Sequence, residues 1–334
     1  MEGPSVSVVI LTWNSRSLVG EAVASALAQR GVAPEVLVAD NASEDGTADE
    51  VALRFPGRVR IVRFERNEGY AGGYNRALAL ARGEFLLLLN PDARLAPDFL
   101  ARALPAFADA RVGIVAGRLM RADGTTVDSA GQFLARSRRV IDRGYGAPLA
   151  ASAERARPVL SACGAAALYR RAMIDDVSDG DDFFDPDYFA FHEDLEVGWR
   201  AWRAGWTAVY VPDATAVHLR SGGAAAGAFG RAVARPAWLT AHIVKNRYLA
   251  MLRHDRLGAL LLDAPFILGR DLALWSVLLA RKPAALRLVA GHRDAFRRAL
   301  AKRRADASRR GRFGPWRRAV PRRGVWPAPR EATP

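Results

Sequence analysis

The most restrictive feature of the sequence is a run of five apolar residues, Phe85 to Leu89, which ends at Asn90 and Pro91. A short apolar run bounded by turn residues is typical of a strand that is buried on both faces of a parallel sheet. Proline stops such a strand because it has no amide proton for the ladder. Asp92 therefore lies just beyond a central strand, where open α/β sheets bind ligands. Its carboxylate is a candidate cation ligand, although Asn-Pro-Asp is also ordinary turn chemistry.

Three earlier segments also combine a short apolar run with polar residues after it. Strand and helix patterns alternate at roughly 25-residue spacing, which predicts βαβ units, a parallel sheet and right-handed crossovers. The four strand ends would then meet at one edge of the sheet. The earlier strands and their polar successors are 6–11 with Thr12 and Asn14, 35–39 with Asp40, and 59–63 with the segment 67–75.

The glycine-bearing segment 67–75 differs from the known phosphate loops. It matches neither the G-x-x-x-x-G-K-S/T loop nor the G-x-G-x-x-G turn, and it contains no basic residue that could neutralise phosphate. A nucleotide bound here needs a cation from elsewhere, and Asp92 is placed to hold one.

The formal net charge of +14 is a property of the C-terminal third. Residues 231–334 hold 24 Lys and Arg residues against 6 Asp and Glu residues, whereas residues 1–230 hold 25 against 29. A basic nucleic-acid groove across the body is therefore not supported. The single cysteine, Cys163, favours a reducing compartment and is expected to be structural. No export signal is evident, so we expect a cytoplasmic protein.

Four ordered motifs resemble those of family 2 nucleotide-sugar glycosyltransferases: Val6 to Asn14, Asp40 to Thr47, Asn67 to Asn75, and Leu89 to Asp92. The resemblance implies inverting transfer and the GT-A fold, a Rossmann-like α/β fold with a mostly parallel central sheet flanked by helices. Within the family the chain most resembles rhamnosyltransferase-like members that act on cell-surface polysaccharides.

The resemblance implies roles on the donor side. Asp40 would recognise the nucleobase, with Thr12 and Asn14 in the same nucleoside pocket. Further donor-binding positions would be Asn67 and, near the ribose and phosphates, Gly73 and Asn75.

The resemblance also implies a Mg²⁺ or Mn²⁺ cofactor. Asp92 would be the last acid of the family's D-x-D element, but Asn90 stands where many members have the first aspartate. A second ligand would be His218, at the end of a segment, 207–219, that reads as two short strands. The other histidines have no such context and are expected to be structural: His192, His242, His254 and His292.

The segment from Phe184 to Asp194 resembles the family's acceptor loop, an aromatic run that ends in Glu-Asp. By this resemblance Asp194 would be the general base, with Glu193 and Trp199 on the acceptor side. Glu193 has an alternative explanation as a favourable acid at the start of a helix over 195–204. Because adjacent residues point in different directions, we expect only one of the two acids to face the reacting sugar.

Processive synthases of the superfamily carry Q-x-x-R-W after this point. The sequence Trp199-Arg200-Ala201-Trp202-Arg203 lacks that glutamine, which favours the addition of a single sugar. Residues 120–158 show no clear period and are assigned to the acceptor side.

The sequence predicts three parts: a GT-A domain over residues 1–235, a helical appendage over 236–304, and a basic, disordered tail over 305–334. The longest uncharged run of the appendage, Leu272 to Ala280, is far shorter than the ~20 residues that span a bilayer. Leucines among many arginines favour interfacial helices on an anionic membrane, at the inner face of the plasma membrane. A basic, solvated helix pair is the alternative.

The predicted reaction is displacement at the anomeric carbon of a dTDP- or UDP-linked sugar, with rhamnose as a candidate. The acceptor would be a glycan or lipid-linked glycan, and no nucleic acid is expected as a partner. Two alternatives stay open: a nucleotidyltransferase on a related fold, and a non-catalytic nucleic-acid- or membrane-binding protein that uses the basic C-terminus.

Overall fold

The computed structural model describes residues 5–149, 155–219 and 234–308. The loop that begins at Arg220 lies outside the described residues. Of the tail predicted over 305–334, residues 305–308 belong instead to the helix Arg293–Ser308, and the rest lies outside the described residues.

The first half of the chain forms a parallel sheet whose strands alternate with helices. Strand β1 pairs in parallel with β2 and with β4, and β2 pairs in parallel with β3. The carboxyl ends of these strands meet at one edge, as the sequence predicts. The elements are β1 (Val6–Thr12), α1 (Arg16–Leu27), β2 (Glu35–Asp40), α2 (Thr47–Arg54), β3 (Arg60–Arg63), α3 (Gly69–Leu78) and β4 (Phe85–Leu89).

Strand β1 shows why both faces of the sheet must be covered. Val9 and Leu11 pack into one hydrophobic cluster and Val8 and Ile10 into another on the opposite face, because successive strand side chains alternate. The helices on the two faces therefore enclose two separate parts of the core.

The second half adds antiparallel and parallel strands beside β4. The sheet order is β10-β12-β6-β11-β4-β1-β2-β3, with β11 antiparallel to β4 and β6, and β12 parallel to β6. The elements are β5 (Ala93–Leu95), α4 (Phe99–Ala103), β6 (Val112–Met120), β7 (Val127–Ser129), β8 (Gln132–Leu134), β9 (Val140–Asp142), β10 (Arg157–Val159), β11 (Ala166–Arg170), α5 (Arg171–Val177), α6 (Glu193–Arg203) and β12 (Thr207–His218).

Two segments differ from the sequence prediction. The expected pair of short strands over 207–219 is one strand, β12, whose register with β6 shifts between Val211 and Thr215. The segment 120–158, which shows no period, contains the three-residue strands β7 to β10.

Four helices follow: α7 (Ala237–His254), α8 (Leu257–Arg281), α9 (Pro283–Gly291) and α10 (Arg293–Ser308). Helix α7 packs on the body, where Leu249 and Ala250 share a buried cluster with Leu195 and Trp199 of α6. The boundary at residue 235 stays a prediction. Among the described residues no helix combines the length and apolar character that crossing a bilayer requires.

Candidate functional site

A cavity of about 380 Å³ lies where the loop after β4, the start of α6 and the end of β12 come together. Several polar atoms in its wall are buried without a hydrogen-bond partner in the described part of the chain: Oε1 of Gln132, Nδ1 of His192 and Oε2 of Glu193. Buried polar groups are normally paired. Their convergence on one cavity indicates that a polar ligand belongs there.

His218 lines this cavity and lies between two carboxylates. Its Nε2 atom is 3.4 Å from Oδ1 of Asp92, and its Nδ1 atom is 2.8 Å from Oδ2 of Asp128. Burial opposes the charged imidazolium, but the hydrogen bonds and negative charges of the two aspartates raise the pKa of His218 to about 9. The ring is therefore fixed in orientation, with Nε2 directed at Asp92.

Asp92 and His218 fit a Mg²⁺ or Mn²⁺ ion by their chemistry, since one offers carboxylate oxygen and the other imidazole nitrogen. Asp128, fully buried, is bonded to the other ring nitrogen, as the outer-shell carboxylates of metal-binding histidines commonly are. No group of three or more His, Cys, Asp or Glu side chains within the described residues could hold a metal by itself. Phosphate oxygens or water would have to complete the coordination.

The acid pair at the start of α6 lies in the same cavity. The carboxylate of Asp194 accepts hydrogen bonds at Oδ2 from Nε2 of Gln132 (2.9 Å) and the amide of Gly164 (3.0 Å), and at Oδ1 from the amide of Leu195 (2.7 Å). Burial raises the pKa of Asp194, and these three donors work against that rise. A carboxylate has about four lone-pair sites, so one remains for a ligand.

Glu193 also lines the cavity, which differs from the expectation that only one of the two acids would face it. His192, just before the helix, has a left-handed backbone (φ 70°), and the side chains of both acids are buried. Burial and the charge of Asp194 raise the pKa of Glu193 well above its usual range. The negative charge of an ionised Asp194 thus makes Glu193 hold its proton more firmly than an ordinary glutamate does.

The loop before the acid pair has an unusual backbone, because Phe189, Phe191 and His192 all have positive φ angles without being glycine. Two elements hold it. The amides of Tyr70 and Ala71 in α3 donate to the carbonyl of Phe189 at 2.6 and 3.1 Å. Strained backbone of this kind persists only where the surroundings determine it, and it is concentrated at functional sites.

The second support of this loop is Asn246 of α7, which is fully buried. Its Nδ2 atom lies 2.9, 2.8 and 2.7 Å from the carbonyl oxygens of Tyr188, Ala190 and Phe191. The loop that carries the acid pair is therefore held by a helix from the predicted appendage.

The predicted nucleoside residues lie together at the ends of β1 and β2. Thr12 and Asp40 are paired in register, and the buried Oγ1 atom of Thr12 has no hydrogen-bond partner in the described residues. Asn14 is exposed, has a left-handed backbone (φ 47°), and accepts from the amide of Glu44 at 2.8 Å. None of these three residues lines the cavity around the acid pair.

The segment after β3 is organised by Asn41, which sequence reasoning missed. Its Nδ2 atom donates to Oδ1 of Asn67 and to the carbonyl of Gly69, both at 3.0 Å. A Cβ atom on Gly73 would lie 2.8 Å from the methyl groups of Leu11, so this glycine allows α3 to approach β1 closely. Gly73 therefore contributes to the close packing of α3 on β1.

Asn75 is likewise engaged by the protein. Its side chain donates to Oδ1 of Asp182 and to the carbonyl of Phe184, and accepts from the amide of Phe184, each at 2.8 Å. It joins α3 to the start of the acceptor loop.

Three further residues lie differently from their expected places. Trp199 is buried in the cluster with α7, its ring centroid 5.5 Å from that of His254, and it does not line the cavity. His192, expected to be structural, does line it. Cys163 also lies in the lining, where burial raises the pKa of its thiol well above the usual range, so it is not activated as a nucleophile.

Sequence reasoning missed four residues at this site: Asn41, Asp128, Gln132 and Asn246. Asp128 and Gln132 lie in a segment without readable periodicity, and only tertiary packing brings them to His218 and Asp194. Asn246 left a weak signal, because Lys245-Asn246-Arg247 interrupts the apolar pattern of a helix.

Comparison with known proteins gives a family and several relatives. The model of the family described as Glycosyl transferase family 2 matches residues 7–178. The succinoglycan biosynthesis protein ExoO of Rhizobium meliloti (strain 1021) is 39% identical over 101 residues, covering 30% of this chain and 29% of that protein. The N-acetylglucosaminyl-diphospho-decaprenol L-rhamnosyltransferase of Mycobacterium tuberculosis (strain ATCC 25618 / H37Rv) is 31% identical over 209 residues, covering 56% of this chain and 66% of that protein. This chain thus spans less than two thirds of each relative's length.

A solved structure shows the same fold. The mannosyltransferase PcManGT from Pyrobaculum calidifontis, in complex with GDP-Man and Mn²⁺, matches with a TM-score of 0.55 and 21% identity, covering 92% of this chain and 86% of that one. The α/β architecture of the GT-A type, expected from the sequence, is confirmed.

Proposed function

This chain belongs to glycosyl transferase family 2, a family of transferase enzymes, and on that premise we propose that it moves a sugar from a nucleoside diphosphate to a hydroxyl group of an acceptor, with inversion. The main observation behind the proposal is that one cavity is lined both by a pair of acids and by a histidine that contacts a further acid. Glu193, Asp194 and His218 all line this cavity, and Nε2 of His218 lies 3.4 Å from Oδ1 of Asp92.

Asp194 is the general base of this reaction. Its remaining lone pair accepts the proton of the acceptor hydroxyl while that oxygen bonds to the anomeric carbon. The bond from the anomeric carbon to the diphosphate breaks on the opposite face, and the diphosphate leaves with the bonding electrons. Such base catalysis typically contributes ~10² to 10⁴ in rate. Glu193, protonated, donates a hydrogen bond to the bound sugar on the acceptor side. Trp199 packs α6 against α7.

Asp92 and His218 would hold Mg²⁺ or Mn²⁺, which supplies Lewis acidity toward the negative charge on the leaving diphosphate. Asp128 positions His218 by accepting from Nδ1. The presence of Mn²⁺ in the structure of PcManGT supports this assignment.

The donor's nucleoside is bound at the ends of β1 and β2. Asp40 and Thr12 lie opposite each other on neighbouring strands and offer a carboxylate and a hydroxyl that has no hydrogen-bond partner in the described residues. Asn14 and Asn67 are the further donor-binding residues of this proposal. Gly73 and Asn75 shape this end by holding α3 in place. A dTDP- or UDP-linked sugar, with rhamnose as first candidate, is proposed because the relative from M. tuberculosis is named a rhamnosyltransferase.

The acceptor is a glycan, or a glycan linked to a lipid, in the synthesis of cell-surface polysaccharide. The names of the two relatives, one a succinoglycan biosynthesis protein and one acting on a diphospho-decaprenol, support this class. No observation favours a nucleotidyltransferase, since the segment 67–75 has no basic residue for a transferred phosphate.

A lipid acceptor requires contact with a membrane, and α8 offers a surface for it. Five leucines of α8 are exposed by 59–70%: Leu257, Leu261, Leu268, Leu272 and Leu279. At about 100° per residue they fall within about 60° of one another on the helix, and we call them the leucine stripe. Residues 231–334 carry 24 basic against 6 acidic side chains, so the surface suits an anionic bilayer at the inner face of the plasma membrane.

The proposed transfer is tested with a panel of UDP-, dTDP- and GDP-linked sugars, with Mn²⁺ and with chelator. We expect at least one donor to raise the melting temperature in Mn²⁺ and to release nucleoside diphosphate slowly, because water can take the acceptor's place. The Asp194→Asn protein should keep the thermal shift and lose the release. If no nucleotide sugar binds under any condition, the proposed function is wrong.

A further inference from the structure

Three arginine side chains meet at Tyr210, a fully buried residue of β12. Nε of Arg118, on β6, donates to the hydroxyl of Tyr210 at 3.0 Å, and the guanidinium of Arg143 lies 5.6 Å from the centre of the tyrosine ring. Arg157 is directly opposite Tyr210 in the antiparallel pair of β10 and β12, so these two side chains lie on the same face of the sheet. We call Arg118, Arg143 and Arg157 the arginine cluster.

The arginine cluster has few partners within the protein. All three side chains are partly buried, and none of them forms an ion pair with a carboxylate in the described part of the chain. Nη1 of Arg143 and Nε of Arg157 are buried and have no hydrogen-bond partner among the described residues. Burial lowers the pKa of Arg143, and the charge of Arg157 lowers it further, as expected for two cations that lie close together.

Two other buried arginines have carboxylate partners. Arg138 lies 2.8 Å from Asp263, and Arg200 lies 2.7 Å from Glu196. Taking a guanidinium out of water is costly unless hydrogen bonds replace its hydration, and a neighbouring like charge adds to that cost. An oxyanion from outside would supply the arginine cluster with both hydrogen-bond acceptors and negative charge.

We propose that the arginine cluster is a subsite for an oxyanion carried by the acceptor glycan, either the carboxylate of a sugar acid or a phosphate substituent. This rests on the proposed glycosyl transfer. Guanidinium groups bind carboxylate and phosphate oxygens in a bidentate manner. The hydroxyl of Tyr210 holds Arg118 by Nε, and the two Nη atoms of Arg118, which have no hydrogen-bond partner in the described residues, are left for the ligand.

The position of the arginine cluster suits the acceptor side of the reaction. Arg143 comes directly after Asp142, which lines the cavity that contains the acid pair. The amide of Arg143 donates to the carbonyl of Gly131 at 2.8 Å, and the next residue, Gln132, donates to Asp194. A glycan whose hydroxyl reaches Asp194 therefore places a substituent of the same sugar or of the next one beside the arginine cluster.

The test measures the binding of four probes to the full-length protein by calorimetry: methyl glucuronide, glucose 6-phosphate, the neutral methyl glucoside, and inorganic phosphate. A chelator is present so that the metal-dependent donor side takes up no phosphate. We expect at least one of the two charged sugars to bind and the neutral sugar not to bind.

Arg118→Gln and Arg143→Gln should each weaken the binding of the charged sugar about ten-fold or more, the usual effect of losing a charge-assisted hydrogen bond. Arg143→Lys keeps the charge but loses the planar fork, so it should weaken binding less. This variant also tests the subsite if a glutamine variant does not fold, which the melting temperature of each variant shows.

The matched control is Arg121→Gln. Arg121 is a partly buried arginine just after β6, and its guanidinium also lies over a tyrosine ring, 4.5 Å from the centre of Tyr145. Equal losses in Arg121→Gln and Arg143→Gln would show unspecific attraction and would overturn the proposal. Unchanged binding in the Arg118 and Arg143 variants would overturn it as well, as would a neutral sugar that binds as tightly as the charged ones.

Two further outcomes count against the subsite. If neither charged sugar binds the unchanged protein, the subsite does not exist. If inorganic phosphate binds as tightly as the charged sugars, with the same dependence on the arginines, the cluster takes a free ion and the assignment to the acceptor is wrong.

The subsite and the proposed function fail separately. If no nucleotide sugar is used but a charged sugar binds through these arginines, the transfer reaction is wrong and the subsite stands. If transfer occurs but the arginine variants bind the charged sugars normally, the subsite alone is wrong.

Discussion

At the residue scale the site depends on how single side chains are oriented by buried neighbours. His218 presents Nε2 to Asp92 because its Nδ1 atom is held by Asp128, a carboxylate with no exposed surface. Because the pKa of His218 is about 9, a metal would bind Nε2 in place of the proton that this atom carries at neutral pH, while Nδ1 continues to donate to Asp128. His218 lies on β12 and Asp128 on β7, so their contact depends on β6, which pairs with both strands.

Replacing Asp128 by asparagine should weaken Mn²⁺ binding about 10- to 100-fold, the usual effect of losing an outer-shell carboxylate. Calorimetric titration of the protein with Mn²⁺ measures this directly, without any turnover. Asp92→Ala should abolish binding. Asp213→Asn, an exposed acid on the same strand as His218, should leave it unchanged, and equal affinities for the Asp128 variant and this control would rule out the positioning role.

Replacing Asp194 by asparagine should lower transfer by ~10² to 10⁴, since the amide cannot accept a proton. Donor and metal affinity should survive. Glu193→Gln should cost much less, because Glu193, whose pKa is raised by burial and by the charge of Asp194, holds its proton firmly and is not the proposed base. Rates and donor affinities of the two variants decide the assignment, and a dead Glu193 variant beside an active Asp194 variant would reverse it.

The pH dependence of transfer follows from the same residue. A base works only when ionised, and burial raises the pKa of Asp194 above its usual value. Activity should therefore be present at neutral pH and be lost as the pH falls through that raised pKa, at a higher pH than an ordinary aspartate would give. A rate that stays level down to the ordinary aspartate range would contradict this assignment.

At the element scale the acceptor loop depends on helices distant in sequence. Its three left-handed residues, Phe189, Phe191 and His192, are held by the start of α3 and by Asn246 of α7. Gly69 is needed for this contact, because a Cβ atom there would lie 2.5 Å from the carbonyl oxygen of Phe189. The strain of the loop is thus maintained by two elements at once.

Replacing Asn246 by alanine leaves the carbonyl groups of Tyr188, Ala190 and Phe191 without this donor, at a cost of about 1–3 kcal/mol in unfolding free energy. The loop should relax and misplace the acid pair. The rate of transfer to the acceptor should then fall far more than the affinity for the donor, because the donor's nucleoside is proposed to bind at the ends of β1 and β2. Equal effects on both quantities would mean that Asn246 only supports folding.

The sequence predicted the elements whose hydrophobic pattern can be recognised without knowledge of tertiary contacts. Strands β1, β2 and β4 are apolar on both faces, so they are visible without tertiary information, and the polar residues after them fall at the predicted edge. Strands β7 to β10 are three residues long, too short to show a period. Asp128, Gln132 and Asn246 escaped prediction because their roles arise from contacts between distant segments.

At the scale of the whole molecule the C-terminal helices are joined to the acceptor loop by ion pairs. In α10, Arg298 lies 2.6 Å from Asp187, and Lys302 lies 2.7 Å from Asp185. Arg253 of α7, almost fully buried, lies 3.2 Å from Asp306 of the same helix, α10. The group of C-terminal helices that includes α8 therefore contacts the acceptor loop through α10.

The leucine stripe of α8 makes this link testable. Leu261→Ser, Leu268→Ser and Leu272→Ser, combined in one protein, should lower its sedimentation with anionic liposomes, because each leucine is more than half exposed and loses its apolar burial in lipid. Sedimentation of the unchanged protein should also fall as the salt concentration rises, because salt screens the attraction between the arginines and the anionic lipid headgroups. Transfer to a water-soluble acceptor should not change. The control is Leu53→Ser on α2, a leucine that is 81% exposed and belongs to the acidic body. If the unchanged protein ignores anionic liposomes, or if the triple variant sediments like the control, the membrane is removed from the proposed function and α8 is a basic, solvated helix.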